Sequence, residues 1–497
     1  MPAAAQETYE NAKIAAEDLN GTARYVGMGG AMDALGAEIS TMKSNPAGIG
    51  LFRRDNASVS FGAVIQGDAP SMSGADKSHM SFDQIGFVIS TNTSGRKQSF
   101  VNVGFNYHKS RNFDYILSAA DRLTAASQNK LTYAKIKNDL VFNLDSPNFW
   151  DNPYITCSQL DYLYADNLNF DDSDGRWYYY EASDYTLQRE HTGYVGEYDF
   201  NISGNIDNRI YLGLTIGYHD VHYKHRAEYS ENVNGIGRLY VGDTRNIRGD
   251  GADVTAGVIF RPLEYSPFRV GLSIASPTFY RLTTDNETVI TDGKVSAGSS
   301  ESYEFKLYTP WKFGLSLGHT IGTQIALGAS YEYSDYGSLD SRYISDDRYY
   351  DYYDETRSDD AMNAHTESTL KGVSTIKLGA EFKPTDQLAL RVGYNYVSPM
   401  YREDGFKDGT IDSEGSYYSS ATDFTNWEST NRITAGVGLN LGNLNLSAAY
   451  QLSMTNGKFQ PFMSYVDNEI SADDNIANVV KVKNNRHQLL FTLGYTF

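Results

Sequence analysis

The sequence predicts an all-β fold: a transmembrane antiparallel β-barrel of about fourteen strands with an N-terminal helical hatch in its lumen. Three observations predict it. Short segments in which apolar and polar residues alternate recur along most of the 497 residues, as in strands with one face on lipid and the other in a lumen. Tight turns and long polar loops separate these segments in alternation. Residues 21–51 break this pattern with crowded small, apolar and turn-forming residues.

The composition supports this fold and argues against other classes. With 42 Lys and Arg against 62 Asp and Glu, the net charge is −20. A nucleic-acid partner is disfavoured because phosphate binding needs concentrated positive charge. Tyr is abundant at 39 residues and Pro scarce at 12, as expected where aromatic rings suit a membrane interface and strands need backbone donors. No apolar run reaches the 18 residues of a transmembrane helix.

Residues 1–54 are predicted to form the hatch, and residues 55–497 the barrel. Residues 1–6 resemble the small-residue end of a cleaved signal peptide, which predicts export. Residues 7–19 have a helical composition that the Asn-Gly pair after them ends, and shorter helical pieces are predicted at 31–35 and 38–42.

A turn is predicted at Asn45-Pro46-Ala47-Gly48. Proline disfavours the helical backbone at Asn45, and an Asn side chain closes turns against the backbone. Gly27, Gly29 and Gly30 lack the spacing and the preceding strand of a dinucleotide-binding loop. All of these residues are therefore predicted to serve packing and gating within the hatch.

From residue 56 onward the period is two. Strands are predicted at 59–65, 85–89, 101–107, 194–203, 210–223, 252–261, 268–276, 311–319, 324–333, 374–383, 388–397, 432–441, 444–453 and 487–497. An even strand number is expected of a closed bacterial barrel, and its parity places both termini in the periplasm. In the long loop of residues 110–190, a helix is predicted near 115–127. The alternating last strand ends on Phe497, which is typical of the strand that the barrel-insertion machinery recognises.

The sequence predicts no catalytic residue, cofactor or metal site. A nucleophile-elbow motif and a convincing Ser/His/Asp arrangement are absent. His219, His222 and His225 would alternate between strand faces, which favours a solvated edge over zinc binding. The acidic, Tyr-rich run 346–355 lacks the spacing of a calcium loop, so a solvated loop is favoured there. Cys157, the single cysteine, has no partner for a disulfide.

Four cations on late strands are predicted to face the lumen: Lys312, Lys377, Arg391 and Arg432. Charge is tolerated there only with water or partners. Two hypotheses remain open. The cations either pair with carboxylates such as Glu381 and stiffen the wall and hatch, or one or two of them receive the carboxylate of a ligand.

The hatch segment resembles the N-terminal region of the FadL/TodX family of outer-membrane transporters for hydrophobic compounds. The residues that carry this resemblance are Gly21-Thr22-Ala23-Arg24, Gly27 to Ala31, Leu35-Gly36 and Asn45-Pro46-Ala47-Gly48. The resemblance implies a hatch of short helices in a fourteen-stranded barrel, an apolar capture groove among the outer loops, an interior pocket, and a kink in the third strand that opens a side exit. The third strand here has no proline to mark such a kink.

The expected function is passive, hatch-gated uptake of hydrophobic small molecules such as long-chain fatty acids, by a monomer in the outer membrane in contact with lipid and lipopolysaccharide. The alternative from a different class is a related barrel that acts as a protein-binding scaffold or shuttle of a secretion system. An outer-membrane enzyme is disfavoured because the sequence shows no catalytic constellation.

Overall fold

A computed structural model describes residues 7–93, 99–137, 157–171, 173, 175–293, 296–344, 356–411, 413, 421–467 and 470–497. Residues 1–6 and 346–355, for which the sequence predicted a processed leader and a solvated loop, lie outside this description. No helix among the described residues has the length and apolar character needed to cross a membrane.

The described helices and strands are numbered in chain order. The α-helices are α1 (Thr8–Ala15), α2 (Ala23–Gly27), α3 (Thr41–Ser44), α4 (Gln128–Lys137), α5 (Gln159–Tyr164) and α6 (Asp360–Thr369). The strands are β1 (Asn56–Gln66), β2 (Ser78–Asn92), β3 (Phe100–Asn112), β4 (Tyr115–Ala126), β5 (Phe170–Asp171), β6 (Arg176–Trp177), β7 (Ala182–Ile206), β8 (Ile210–Val233), β9 (Gly237–Phe260), β10 (Arg269–Ala275), β11 (Phe279–Thr291), β12 (Ser296–Tyr308), β13 (Lys312–Ile321), β14 (Ile325–Asp335), β15 (Asp340–Ile344), β16 (Thr356–Ser358), β17 (Gly372–Phe382), β18 (Leu388–Val397), β19 (Phe424–Leu441), β20 (Leu444–Gln460) and β21 (Val480–Thr496).

Within the described chain, fourteen strands close into one antiparallel barrel, as the sequence predicts. Their order around the barrel is β1, β2, β3, β7, β8, β9, β10, β13, β14, β17, β18, β19, β20 and β21, and β21 pairs with β1 along Gln66↔Arg486 to Asn56↔Thr496. Each of the fourteen predicted segments overlaps one of these strands. Connections such as Asp207–Arg209 and Gly442–Asn443 are tight at one end of the barrel, here called the short-turn end, and long at the other, the loop end.

The sheet continues beyond the barrel at the loop end. The loop-end half of β9 pairs with β11, β11 pairs with β12, and β12 pairs with β15. Residues 115–126 form β4 and not the predicted helix: β4 pairs with the edge of β7 along Tyr115↔His191 to Arg122↔Asp184. The Leu- and Ala-rich composition of β4 is compatible with a helix, but an open strand edge and an apolar surface override local propensity.

The outer face of the barrel carries a belt of apolar side chains. Phe87, Phe105 and Phe200 sit beside one another on three strands, with neighbouring ring centroids 5.8 and 5.3 Å apart. Exposed Leu, Ile, Val and Phe residues repeat at alternate positions on the remaining barrel strands. Rows of aromatic residues such as Tyr198 and Tyr218 border this belt towards the loop end. This is the surface of a barrel that contacts lipid.

The two ends of the described chain lie at opposite ends of the barrel. Phe497 is at the short-turn end, where its N–H donates to the carbonyl of Asp55. Glu7 is at the loop end, where it pairs with Arg245 and Lys407. Residue 1, to which the prediction that both termini share one side refers, lies outside the described residues. From Glu7 the hatch segment runs down the lumen before β1 begins.

An apolar cluster covers α1 at the loop end. Tyr9 of α1 stacks on Tyr401 with ring centroids 5.1 Å apart, and it contacts Phe424 at 5.4 Å. Thr8 lies within hydrogen-bond distance of His365 and Thr366 on α6. A second cluster packs α4 and α5 against the extended parts of β7, β8 and β9. The loop end is therefore a packed cap with its own core.

Candidate functional site

The hatch fills the half of the lumen that is nearer the short-turn end. Side-chain caps begin two of its short helices. Asn45 has extended backbone (φ −152°, ψ 96°), and its Oδ1 accepts a hydrogen bond from the N–H of Ala47 at 3.2 Å. Pro46 then starts a 3₁₀-helix that ends at Leu51. Both features of the predicted turn are present. Thr22 caps α2 in the same way, because its hydroxyl accepts from the N–H of Tyr25.

A ring of glycines in the barrel wall receives the hatch. A Cβ added at any of ten wall glycines, each on a different strand, would lie 3.3 Å or less from a hatch atom. They are Gly86, Gly104, Gly213, Gly257, Gly271, Gly318, Gly328, Gly379, Gly393 and Gly436. Four of them are consecutive cross-strand partners: Gly318↔Gly328, Gly328↔Gly379 and Gly379↔Gly393. The hatch thus meets the wall backbone to backbone, along a furrow that has no side chains.

The hatch glycines named from the sequence lie at these contacts. Gly29 has φ +63°, and a Cβ there would be 2.8 Å from the backbone nitrogen of Tyr394. Gly30, with φ +78°, packs against Leu19, and Gly27 faces the Cα of Gly436. A Cβ at Gly48 would lie 2.6 Å from Oγ1 of Thr41. Their packing is visible in these distances, and their part in gating remains a prediction.

Ion pairs join the hatch to the barrel along its whole length, all to wall strands except that of Lys407, which lies in a loop. They are Glu7–Arg245, Glu7–Lys407, Glu10–Arg245, Glu17–Lys312, Asp18–Arg111, Asp18–Arg432, Asp18–Arg486, Arg24–Glu381, Asp33–Lys377, Lys43–Glu197 and Lys43–Asp253. Removal of one partner from a partly buried ion pair lowers the stability of the protein, because the remaining charge is desolvated and unpaired.

All four cations predicted to face the lumen do so, and each has a carboxylate partner. Lys312 Nζ is 2.5 Å from Glu17 Oε2, and Arg432 Nη2 is 3.4 Å from Asp18 Oδ1. Lys377 pairs with Glu332 and Asp33, and Arg391 with Glu381. The geometry favours the first of the two hypotheses, mutual pairing, and contact with a ligand stays a prediction.

Two cavities lie on opposite sides of the hatch. The cavity towards the loop end has a volume of about 160 Å³, with Asp18, Tyr25, Ser40, Lys43 and Arg432 in its lining. The cavity towards the short-turn end has about 240 Å³ and is lined by Arg24, Glu38, Ile39 and residues of the turns. Arg24 and Tyr25 are adjacent in sequence, as are Ile39 and Ser40, yet they face different cavities. We call these two segments, residues 22–25 and 37–40, the partition.

Three hydrogen bonds tie the two segments of the partition together. The N–H of Thr22 donates to Ser40 Oγ at 2.9 Å, and the Thr22 hydroxyl donates to Glu38 Oε1 at 2.6 Å. Arg24 donates to the carbonyl of Ala37 at 3.2 Å, and it also pairs with Glu381 on β17. The sequence does not indicate these contacts, because they join segments about sixteen residues apart that have no repeating pattern.

The barrel wall has an unpaired stretch between two strands, here called the β2–β3 seam. The pairing of β2 with β3 runs from Asn92↔Phe100 to Gln84↔His108. Beyond this point, among the described pairings, β2 continues with β1, and β3 continues with β7 past an irregularity between Lys109 and Arg111. Asn20 of the hatch bridges the seam from inside, donating to Asp83 Oδ1 and to the carbonyl of Lys109, both at 3.1 Å.

The histidines of β8 alternate as the sequence predicts, but the solvated edge predicted for them is wrong for two of the three. His219 and His225 are buried, whereas the side chain of His222 is exposed. The zinc site considered from their spacing is not formed by the three together. His219 instead lies within ion-pair distance of Glu197 on β7 and Asp253 on β9, and His108 on β3 contacts the same Glu197. The sequence does not indicate this grouping because its members come from four strands.

Comparison with known proteins gives a likeness in fold. No protein-family profile matches the chain, and no curated protein matches its sequence. Among solved structures, a Pseudomonas aeruginosa FadL homologue is similar with a TM-score of 0.52 at 12% identity, over 97% of this chain and 99% of that one. The Ralstonia pickettii toluene transporter TbuX and the P. putida toluene transporter TodX are each similar with a TM-score of 0.50 at 10% identity, over 96% and 97% of this chain and 99% of theirs. The fold that the resemblance implied is therefore present.

Proposed function

We propose that the protein is an outer-membrane channel for passive, hatch-gated uptake of hydrophobic small molecules, with its loop end facing outward and its short-turn end in the periplasm. The apolar belt supports the membrane location, and long loops outside with short turns inside are the usual asymmetry of such barrels. The fold shared with the FadL homologue and the two toluene transporters supports the substrate class.

The partition is the observation that carries the proposal. It is one layer of backbone between cavities of about 160 and 240 Å³, each smaller than the ~300 Å³ at which ligand pockets begin. These volumes support our interpretation of the structure as a closed state. Separation of residues 22–25 from 37–40 would join the two cavities while the glycine-lined part of the hatch stays seated.

Capture would take place in the cap at the loop end. A small cavity of about 40 Å³ there is lined by Tyr9, Leu131, Met362 and Met463. Methionine side chains adapt their shape to irregular apolar ligands. Burial of each methylene of such a ligand contributes about 0.8 kcal/mol to binding. This contribution offsets the free-energy cost of crossing a polar lipopolysaccharide layer.

The β2–β3 seam would provide the lateral exit. An apolar molecule gains nothing by entering the aqueous periplasm, whereas the seam faces lipid. Asn20 contributes to closing it with side-chain hydrogen bonds from the hatch, beside the bond from Lys109 Nζ on β3 to Ser81 Oγ on β2. Hatch movement and seam opening would therefore be coupled through Asn20.

Uptake by whole cells tests the proposal. Cells with and without the protein are given a radiolabelled long-chain fatty acid or toluene, and the initial uptake rate is measured. We expect faster uptake of at least one probe with the protein. We expect a further increase with R24Q/E38Q, because this double variant removes the ion pair of Arg24 with Glu38 at 3.9 Å and that of Arg24 with Glu381.

Arg53→Gln is the matched control. Arg53 also belongs to the hatch, but it donates to the carbonyls of Gly50 and Phe52 and to Asn208, away from the partition. It should therefore leave uptake unchanged. Equal uptake of both probes with and without the protein would contradict the proposed function.

A further inference from the structure

Titratable side chains from four adjacent strands and the hatch meet on the inner wall of the barrel. They are His108 on β3, Glu197 and Asp199 on β7, His219 on β8, Asp253 on β9 and Lys43 on α3. The register explains the meeting, since His108↔Glu197 and Glu197↔His219 are direct cross-strand partners. Glu197 and Asp199 are fully buried, and His219 and Asp253 are nearly so.

The charges of this cluster do not balance. In the described chain, the three carboxylates form ion pairs with Lys43, His108 and His219. Lys43 is the permanent cation among these partners, so three buried carboxylates share a single permanent positive charge. Buried charges are normally paired or coordinated to metal. One divalent cation would supply the missing charge.

Glu197 and Asp199 also have oxygen atoms without hydrogen-bond donors. Oδ1 of Asp199 is buried without a hydrogen-bond partner, and Glu197 accepts no hydrogen bond, although the Lys43 ammonium lies 3.1 Å from its Oε1. Buried acceptors without a donor are rare in folded proteins, and a bound cation would satisfy these.

The donor atoms form two triads that share Glu197. In the first, His108, Glu197 and Asp199 each offer one ligand atom within 4.8 Å of the others, and in the second Glu197, His219 and Asp253 do the same. Lys43 contacts Asp253 and lies 3.1 Å from Glu197 Oε1, which places its ammonium in the second triad. The first triad keeps one imidazole and two carboxylates, a nitrogen and oxygen set that suits zinc and related divalent ions.

We propose that His108, Glu197 and Asp199 bind one divalent transition-metal ion of the zinc type, beside Lys43, which neutralises Asp253. His108 and Lys43 both line the loop-end cavity, so the ion reaches the triad from the lumen and keeps an open coordination position towards it. Asn106, held by Gln84, supports Asp199 from the side with Nδ2 at 3.4 Å from Oδ2. The site does not depend on the proposed transport function.

Zinc binding to the purified full-length barrel tests the proposal. The protein is stripped with a chelator, titrated with Zn²⁺ against a chromophoric competitor, and analysed for bound metal by mass spectrometry. We expect one equivalent per barrel. D199N and H108Q should weaken binding by more than the roughly 100-fold that loss of an outer-shell partner can cost.

Two variants of β8 serve as comparisons. H222Q alters the exposed histidine and should keep the wild-type affinity. H219Q alters the second triad and should keep the equivalent of zinc. Heat-modifiable migration on gels verifies that each variant forms a barrel, and Co²⁺ absorption reports the coordination directly. Absence of stoichiometric zinc in the wild type, or its retention in D199N with loss in H219Q, would overturn the proposal.

Discussion

Reversal of a single ion pair separates the two hypotheses for the lumen cations. Lys312 and Glu17 pair with each other across the hatch–wall boundary and remain partly exposed. Such a pair contributes about 0.2–1 kcal/mol. K312E alone should therefore loosen the hatch and change uptake, while K312E/E17K should restore the wild-type rate in the same whole-cell assay.

K312E/E17K distinguishes the two hypotheses because it keeps the ion pair but moves its positive charge from the wall to the hatch. If Lys312 receives the carboxylate of a ligand, K312E/E17K will stay impaired with a fatty acid but not with toluene, which has no charge. Restoration with both probes means that Lys312 acts through the hatch.

A substitution in the barrel wall tests whether close contact between a wall glycine and the hatch holds the hatch in place. A Cβ at Gly393 would lie 2.2 Å from the backbone nitrogen of Gly29, whereas a Cβ at Gly242, on β9, would meet nothing within 4 Å. Overpacking of a fitted contact costs about 1–3 kcal/mol. G393A should expose the hatch to trypsin at Arg24 and Lys43 in folded barrels, and G242A should not. Equal resistance of both variants would mean that the hatch adapts to the wall.

At the scale of elements, the cap of α4 and α5 contains its own acid-sensitive contact. Asp161 accepts from Ser158 and Thr132 and pairs with Lys135. Burial alone would raise the pKa of Asp161, but the Lys135 ammonium and these hydrogen bonds hold it below its ordinary value. The contribution of the pair to cap stability is therefore complete above pH ~4 and is lost as the pH falls through the lowered pKa.

Cys157 reports whether this cap is closed. The thiol is buried beside α5, and burial raises its pKa. We expect slow reaction with 4,4′-dithiodipyridine in the wild type at neutral pH, and faster reaction below the lowered pKa of Asp161. D161N should react fast at both pH values, since it leaves Lys135 buried without a partner, at a cost of about 3–5 kcal/mol. Slow reaction of D161N at neutral pH would show that the pair does not hold the cap.

The elements differ in how far the sequence predicts them. The barrel strands were found because lipid on one face and lumen on the other impose a period of two, as in residues 489–497. β4 was missed because its partner is the edge of β7 at residues 182–191, a pairing between distant parts of the chain that no local pattern records. The turn at Asn45 was found because proline and asparagine act on their own backbone. The partition and the His108–Glu197–Asp199 triad were missed because they depend on register and on how the hatch is seated.

At the scale of the whole molecule, the hatch and the barrel divide two tasks. The closure of β1 against β21 and the apolar belt involve no hatch residue, and they provide the structure that lipid requires. The hatch supplies the filling, since a fourteen-stranded lumen is too wide for its own side chains to close. Ten of its contacts are with wall glycines, so the wall is shaped around the hatch.

Deletion of residues 7–51 tests this division. We expect a barrel that still inserts and shows heat-modifiable migration, because the inward wall residues are mostly polar and tolerate water. The vacated glycine furrow would widen the pore, so single-channel recordings in planar bilayers should show a persistent conductance that the wild type lacks. R24Q/E38Q, with the hatch still seated, should show brief openings instead. Failure of the truncated chain to form a barrel would mean that the hatch is a structural core and that the ion pairs with Lys43, Asp18 and Arg24 serve assembly and not gating.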